Sequence, residues 1–367
     1  MNKIMEKPCP EGKIRNPSTG RCINKDVYDK KIKKEKAAQT AQTAQVVQVV
    51  QSPLIQNNKK IIENLKILAD FERINKEPFK VKAYEKVIDS IELYEKNIET
   101  LEDIKQLKGV GKKIQDKIIE FLNTGNIAEV DNAINDKRYI LGNKLKGIYG
   151  VGPAKITELM TKITNFDELK NHPELLNDKQ KIGLKYYDDL TLRIPIAEGH
   201  NHFKIFNKIL NNLYKDIEFE FVGSYRRKNK DMGDIDILIK NRPGLVLKDI
   251  IKQFEDTSYI IEKLALGKNK FMGICKLSPE LSARRIDILI AEPSYYYFAL
   301  LYFTGSYNFN IYMRRIALQK GLSLSEYGFK DIKDTNTKNI IDTSNIINSE
   351  KDIFKYLDMT YVEPSKR

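Results

Sequence analysis

From Asn58 the chain carries apolar residues at helical spacing: Ile61, Ile62, Leu65, Leu68, Ala69, Phe71 and Ile74 recur at steps of three and four. The same period continues through residues 81–94, 101–107, 114–121, 154–161 and 166–169, so residues 54–195 are predicted to be all-helical. Alternating β-branched runs are few before residue 218. Residues 219–222, 235–239, 271–277 and 285–290 then read as strands, with helical stretches at 247–254 and 295–302 between and after them. A helical half followed by a mixed α/β half is the expectation. The longest tyrosine-rich apolar run covers residues 295–303. That is far short of the roughly 18 residues a membrane span needs, so no membrane partner is expected.

Before residue 54 the pattern breaks down. Cys9-Pro-Glu-Gly-Lys13 and Asn16-Pro-Ser-Thr-Gly-Arg-Cys22 are punctuated by turn residues and predict little core. The two cysteines could pair or bind metal, but a zinc site wants four ligands and the nearest histidine is far away, so a free, reduced pair is expected. Residues 37–51, AAQTAQTAQVVQVVQ, form an uncharged low-complexity linker. The 367 residues hold 63 Lys and Arg against 50 Asp and Glu, a net charge of +13, and residues 1–60 alone hold 13 against 5. A basic tail suits a polyanionic partner such as nucleic acid, or it simply keeps the chain solvated. Hydrophobic residues make up 41 % of the chain, enough for packed cores. The charged, proline-broken start does not read as a secretory signal, and three cysteines without one point to a reducing compartment. Three histidines are too few for a histidine-built metal centre. A membrane protein, a disulfide scaffold and a typical zinc enzyme are therefore not expected.

Two glycine turns interrupt the helical half. Leu107-Lys-Gly109-Val-Gly111-Lys-Lys-Ile114 is repeated 41 residues later as Ile148-Tyr-Gly150-Val-Gly152-Pro-Ala-Lys155. Glycines permit the tight turn and a close approach of backbone to a partner, and the helix that follows offers free N–H groups to a phosphate. The pair resembles the helix-hairpin-helix motif, which grips DNA backbone without reading bases. That resemblance implies a monovalent cation, Na⁺ or K⁺, on the carbonyls of Lys105, Leu107 and Val110, and on those of Lys146, Ile148 and Val151.

The strands carry the candidate chemistry. In Gly233-Asp234-Ile-Asp236-Ile-Leu-Ile, alternation points Asp234 and Asp236 the same way, roughly 6–7 Å apart along the chain, while Ile235, Ile237 and Ile239 face a core. Paired carboxylates repel unless a cation sits between them. Arg285-Ile-Asp287-Ile-Leu-Ile supplies a third carboxylate on a strand of the same alternation. Three aspartates on adjacent strands fit a two-metal phosphoryl-transfer centre holding Mg²⁺ or Mn²⁺. Upstream, Gly223-Ser224 can cradle a phosphate and Arg227 adds a cation for the transferring charge. The combination indicates a nucleotidyltransferase, without naming what receives the nucleotide.

Tyr302-Phe-Thr-Gly-Ser306, then Asn308-Phe-Asn310 and Met313-Arg314, resembles the nucleotide-selecting segment of the X family of DNA polymerases. With both hairpins ahead of the aspartates, the order is similar to that of DNA polymerase beta, from about residue 58 to Arg367. The resemblance implies that Asp234 and Asp236 bind both metal ions, and that Asp287 binds the catalytic one and takes the primer proton. It implies triphosphate contacts from Arg193, Ser224, Arg227 and Gly233, and a sugar pocket lined by Tyr302, Phe303 and Gly305 that excludes a ribose 2′-hydroxyl. Asn310 would reach the minor-groove edge of the new base pair and Arg314 the template strand. Tyr307 and Ile311 depart from polymerase beta, which has an acid and a lysine there. The cysteine motif of the tail is similar to short segments in proteins of large DNA viruses.

A second chemistry is separable. Lys113 and Lys117 share a helix face, and Lys80, Lys82, Tyr84 and Lys86 lie upstream. Clustered ammonium groups lower one another's pKa, so one can become a neutral nucleophile toward an abasic sugar aldehyde. The resemblance to the polymerase beta lyase domain makes Lys117 that nucleophile, Lys113 and Lys80 phosphate contacts, and Tyr84 a supporting hydroxyl. Phe79 and Glu129 depart from that pattern, and Glu129 would repel a phosphate.

The expected architecture is multidomain, α followed by α/β. A basic low-complexity tail and linker spans 1–53, and a helical lyase domain with the first hairpin spans 54–137. A DNA-gripping helical subdomain with the second hairpin spans 138–195, a nucleotidyltransferase palm 196–291 and a nucleotide-selecting α/β subdomain 292–367. The expected function is templated gap filling on gapped or nicked double-stranded DNA with dNTPs, in base excision repair, by a monomer carrying 5′-deoxyribose-phosphate lyase activity. The alternatives are a template-independent transferase, which the short 240–283 segment disfavours, and a catalytically silent DNA-end-binding module. An intracellular place of action is expected: the nucleus, or a cytoplasmic factory or virion for a viral protein.

Overall fold

The computed structural model describes residues 9–10, 13–15, 22–25, 56–94, 96–332 and 340–367. Most of the 1–53 tail and linker therefore lies outside the described residues. Within the tail, β1 (Lys13–Arg15) and β2 (Cys22–Asn24) pair antiparallel, with Arg15 opposite Cys22. Cys9 and Cys22 form a disulfide, their Cα atoms 5.7 Å apart. This corrects the expectation of a free pair: a short hairpin brings together two thiols that spacing alone leaves undecided. It also removes the argument from free thiols for a reducing compartment. Cys275, by contrast, is free and fully buried.

From Gln56 to Thr191 the described chain is helical. Ile61, Leu65 and Leu68 of the helix Gln56–Ile74 pack on Val87, Ile88 and Ile91 of Pro78–Glu92 and on Ile114, Ile118 and Phe121 of Lys112–Thr124. A second small core gathers Leu141, Leu145, Ile148, Val151 and Leu159 around the second glycine turn. Each glycine turn is entered by a well-capped helix. Thr100 and Asp103 form a reciprocal capping box ahead of the first, and Asp136 accepts from the N–H groups of Arg138 and Tyr139 ahead of the second.

The second half is built on a five-stranded sheet in the order β4 (Phe219–Phe221), β6 (Ile235–Lys240), β9 (Arg284–Ala291), β8 (Lys270–Cys275), β7 (Ile260–Leu266). Only β6 and β9 run parallel; the other neighbours are antiparallel. Two residue pairs, β3 (Ile194–Pro195) and β5 (Asp231–Met232), close a short ribbon beside it. Ile235, Ile237, Ile239, Ile286, Ile288 and Ile290 form one face, which packs on Phe206 and Leu210 of the helix Ile196–Leu213 and on Ile250, Ile251 and Phe254 of Leu247–Asp256. Strand β7 is absent from the sequence reading because register shifts at Ile260/Glu262 and Lys263/Ala265 break its two-residue period. The His200-Asn-His202 stretch, which reads as a surface turn, lies within Ile196–Leu213. There His202 is fully buried, with Nδ1 2.8 Å from the Tyr259 hydroxyl, and burial lowers its pKa to about 4.

The last 72 residues add the helices Tyr296–Thr304, Tyr307–Gln319 and Glu350–Tyr356 and a hairpin of β10 (Leu322–Ser325) and β11 (Gly328–Asp331). Phe298, Phe309, Phe329 and Phe354 form their shared core.

Candidate active site

The sheet's second face carries the acids. Asp236 and Asp287 are register partners on the parallel strands β6 and β9, so their side chains leave the same face from backbones at roughly the 4.8 Å spacing of neighbouring strands. Asp234 lies just before β6, two residues along on the same side. Farther along this face Leu238 and Leu289 are covered by the helix Tyr296–Thr304, leaving the aspartates at its open end. Burial, and then the charges of Asp234 and Asp287, push the Asp236 carboxyl up to about 7. Burial also raises Asp287, against the pull of Arg285. The Oδ1 of Asp287 is buried without a hydrogen-bond partner.

Arg285 shares the face of Asp287, two residues away on β9. Its guanidinium donates to Asp234 Oδ2 at 2.9 Å and to Asp287 Oδ2 at 3.2 Å. Among the described residues no three carboxylate, imidazole or thiol groups stand converged as a ready ligand shell; a guanidinium bridges two of the acids instead. The remaining chemistry nonetheless suits a divalent cation. A buried carboxylate oxygen lacks a donor, one aspartate is opposed by two like charges, and every candidate donor is a hard oxygen.

The candidate phosphate side is built from a turn. β4 leads through Val222 into the short helix Gly223–Arg226, and Gly223 takes φ +57, where a Cβ would lie 2.6 Å from Asp236 Oδ2. Ser224 follows on that turn. Arg227 donates to the Thr304 carbonyl at 2.6 Å, and Arg226 donates to the Thr304 hydroxyl at 2.7 Å. Arg226 also donates to both Glu350 oxygens, at 3.1 Å each, and Glu350 accepts in turn from Arg367 at 2.6 Å and Tyr361 at 3.0 Å. Arg193 is held by Asp231, with Nε and a terminal nitrogen 2.9 and 2.7 Å from Oδ1, and lies against Gly233.

The helix Tyr296–Thr304 ends at Gly305 (φ +65), and the Gly305–Ser306 peptide is cis. Asn310 donates to the Tyr302 carbonyl at 2.8 Å, and the Arg314 guanidinium stacks 5.3 Å from the Tyr302 ring, which meets Phe303 edge-on. Tyr307 is 74 % exposed beside them.

The two glycine turns match in geometry. Gly109 and Gly150 take φ +86 and +82, while Gly111 and Gly152 each sit at a helix N-cap with open space where a Cβ would be. Of the candidate cation-binding carbonyls, that of Ile148 accepts from the Val151 N–H within the turn at 3.1 Å. The lysine group lies apart, on the first helical unit. Lys117 is 16 % exposed and ion-paired with Glu129. Lys80 is paired with both oxygens of buried Glu72 at 3.1 Å, Lys113 faces solvent, and burial raises the phenol of Tyr84.

Four family profiles match the chain in succession: a helix-hairpin-helix domain at 56–127, the fingers domain of DNA polymerase lambda at 143–191, the DNA polymerase beta palm at 193–293 and the DNA polymerase beta thumb at 299–367. The chain belongs to the X family of DNA polymerases. Among its relatives are DNA polymerase lambda of Arabidopsis thaliana, 27 % identical over 84 % of this chain and 62 % of the relative, and DNA polymerase lambda of Rattus norvegicus, 28 % identical over 84 % and 56 %. The DNA polymerase type-X family protein pol4 of Schizosaccharomyces pombe is 24 % identical over 86 % and 66 %. The chain thus spans between 56 % and 66 % of the length of these relatives. X-family membership implies a general dependence on divalent metal.

Three functional candidates escape sequence reading. Arg285 was legible in principle, because it shares a strand face with Asp287. The buried Arg226–Glu350–Arg367 cluster joins residues 124 and 17 positions apart, and nothing local announces it. Tyr149, inside the second glycine turn, stacks on Arg285 across the boundary between the helical and sheet halves.

Proposed function

We propose that the chain is a DNA-templated DNA polymerase that fills short gaps in base excision repair. It transfers dNMP from dNTP to a primer 3′-hydroxyl and releases pyrophosphate. The observation that carries this reading is the side-by-side pairing of Asp236 and Asp287, with Asp234 beside them, next to the Gly223 turn and Arg227. Asp234, Asp236 and Asp287 would hold two Mg²⁺ or Mn²⁺ ions, which supply electrostatic stabilisation of the transferring phosphoryl group and acidify the primer hydroxyl. Asp287, whose Oδ1 is buried without a hydrogen-bond partner, would accept that proton. Ser224, Arg227, Arg193 and Gly233 hold the triphosphate, and the backbone at Gly305 closes the sugar pocket against a 2′-hydroxyl. Asn310 and Arg314 then leave Tyr302 to meet the new base pair and the template.

Both glycine turns grip DNA backbone, each with Na⁺ or K⁺ on its carbonyls. Lys117, sheltered and paired with the Glu129 whose charge also reaches Lys80 and Tyr84, would carry 5′-deoxyribose-phosphate lyase activity on the same gap. The chain would act as a monomer on gapped or nicked DNA, in the nucleus, or in a cytoplasmic factory or virion for a viral protein.

Incorporation on a one-nucleotide gap, with and without a downstream 5′-phosphate, tests the reading. Asp234→Ala and Asp287→Ala should abolish synthesis and leave DNA binding largely intact; synthesis surviving both moves the site elsewhere. Equal extension of single strands would instead favour a template-independent transferase, and DNA binding with no synthesis a silent end-binding module.

A further inference from the structure

Tyr149 sits between Ile148 and Gly150 in the second glycine turn, and its backbone is clamped from behind. A Cβ at Gly183 would lie 2.7 Å from the Tyr149 carbonyl oxygen, and Gln180, itself buried, donates from Nε2 to the Gly150 carbonyl at 2.8 Å. The side chain leaves the turn toward the sheet. Its ring lies 5.2 Å from the Arg285 guanidinium, and its hydroxyl reaches the Met272 sulfur at 3.8 Å. Met272 is the register partner of Asp287 on β8, so the phenol covers the strand pair beside the carboxylates. With Ile182, Tyr186 and Leu190 of the helical side, the ring packs against a buried cluster of Leu264, Ile274 and Ala283 on the sheet side. One aromatic residue thus joins the turn to the arginine that bridges Asp234 and Asp287.

We propose that Tyr149 is a positioning residue that couples DNA seated on the second glycine turn to metal binding at the aspartates. Without DNA, the ring holds the Arg285 guanidinium across Asp234 and Asp287, where it competes with a divalent cation for the same oxygens. A cation over an aromatic face is attracted to it, and a guanidinium stacks there well, so the ring fixes where the positive charge rests. Backbone phosphates bound at Gly150 and Gly152 move the turn together with the helix Asp178–Lys185 that clamps it, and Tyr149 with them, which draws Arg285 off the acids and frees them for the ion. Coupling of this kind is reciprocal: DNA tightens the metal and the metal tightens DNA by the same factor. The inference rests on the reading of the second turn as a DNA grip.

The test is Mn²⁺ binding, read as loss of the free-ion EPR signal, with and without saturating one-nucleotide-gapped DNA bearing a dideoxy primer end, the signal lost to DNA alone being subtracted. In the wild-type chain DNA should tighten Mn²⁺ by on the order of 5- to 10-fold. Tyr149→Phe, which keeps the ring, should retain most of that factor. Tyr149→Leu should bring it close to one, chiefly by tightening Mn²⁺ in the DNA-free protein. Arg285→Gln should do the same, and Tyr149→Leu added to Arg285→Gln should change nothing further. Thermal melts confirm that each variant is folded at the assay temperature. Wild-type coupling in Tyr149→Leu, or an additional effect in the double variant, overturns the inference while leaving the polymerase reading standing. Failure of the wild-type chain to bind gapped DNA in a gel shift overturns both.

Discussion

A methyl group added at Gly223 would lie 2.6 Å from the Oδ2 of Asp236. The turn that should receive the triphosphate and the strand that should hold the metals are therefore in backbone-to-carboxylate contact, with no side chain between them. Gly223 also takes φ +57, which an L side chain adopts at a cost. Gly223→Ala should fold, because the strain is local, but should displace either the turn or the Asp236 carboxylate. Misplacement by an ångström costs on the order of 100-fold in rate, so single-nucleotide incorporation should fall at least that far. Wild-type kinetics in this variant would mean that Asp236 does not work against this turn.

Asp236 carries a pH dependence of defined sign. Its folded-state pKa of about 7 lies above the ordinary carboxylate value. Between about pH 4 and pH 7 the folded chain therefore binds a proton that the unfolded chain has lost, and stability falls as pH rises through this window. Above pH 7 the penalty is complete. Asp236→Asn should melt higher than wild type at pH 8 without metal, with the gap closing toward pH 4. Mg²⁺ competes with that proton, so it should raise the wild-type melting temperature at pH 8 more than at pH 6 and leave Asp236→Asn nearly unmoved. Parallel melting curves for the two proteins across this range would remove the charge conflict from Asp236.

How much of this was legible in the sequence follows from the reach of each interaction. Asp234, Asp236 and Asp287 sit in short alternating runs, so their strand faces could be read locally, and the repeated Gly-Val-Gly turns were equally local. The place of Arg285 on the face of Asp287 was local too, but its bridge to Asp234 was not. It depends on β6 and β9 running parallel in one register, which brings Asp234 to a residue 51 positions away. The disulfide of Cys9 and Cys22 turned on a hairpin too short to advertise itself. Strand β7 hid behind two register shifts, and His202 behind a helix whose polar His-Asn-His stretch imitates a loop.

Glu350 is the pivot of the C-terminal unit. Burial alone would raise its carboxyl, but the guanidinium groups of Arg367 and Arg226 outweigh burial and hold it low. Removing it would strand two arginines, one fully buried and one largely so. Breaking a buried ion pair from one side costs about 3–5 kcal/mol, and Glu350→Ala should lose stability of that order in chemical denaturation. Arg226 also holds Thr304, whose carbonyl anchors Arg227 one residue before Gly305. Under conditions where Glu350→Gln remains folded, its KM for dNTP should therefore rise while DNA affinity holds. An unchanged KM would show that the cluster serves folding alone.

Lys117 and Glu129 meet in an ion pair on the helical unit, next to Lys80, which is itself occupied by Glu72. The two lysines best placed to meet a 5′-phosphate and an abasic aldehyde thus each carry a carboxylate. On the proposed lyase reading, an incoming phosphate would have to displace Glu129 or tolerate its charge, so affinity for phosphorylated ends should be weakened. Glu129→Gln should raise borohydride trapping of a 5′-deoxyribose-phosphate end by about 2- to 5-fold, the size of a partly exposed ion pair. Glu129→Lys should raise it further and sharpen the preference for a 5′-phosphate over a 5′-hydroxyl in gap binding. Lys117→Ala should abolish trapping in every background. Loss of trapping in Glu129→Gln would mean that the carboxylate assists the amine, and undiminished trapping in Lys117→Ala would move the nucleophile to another lysine.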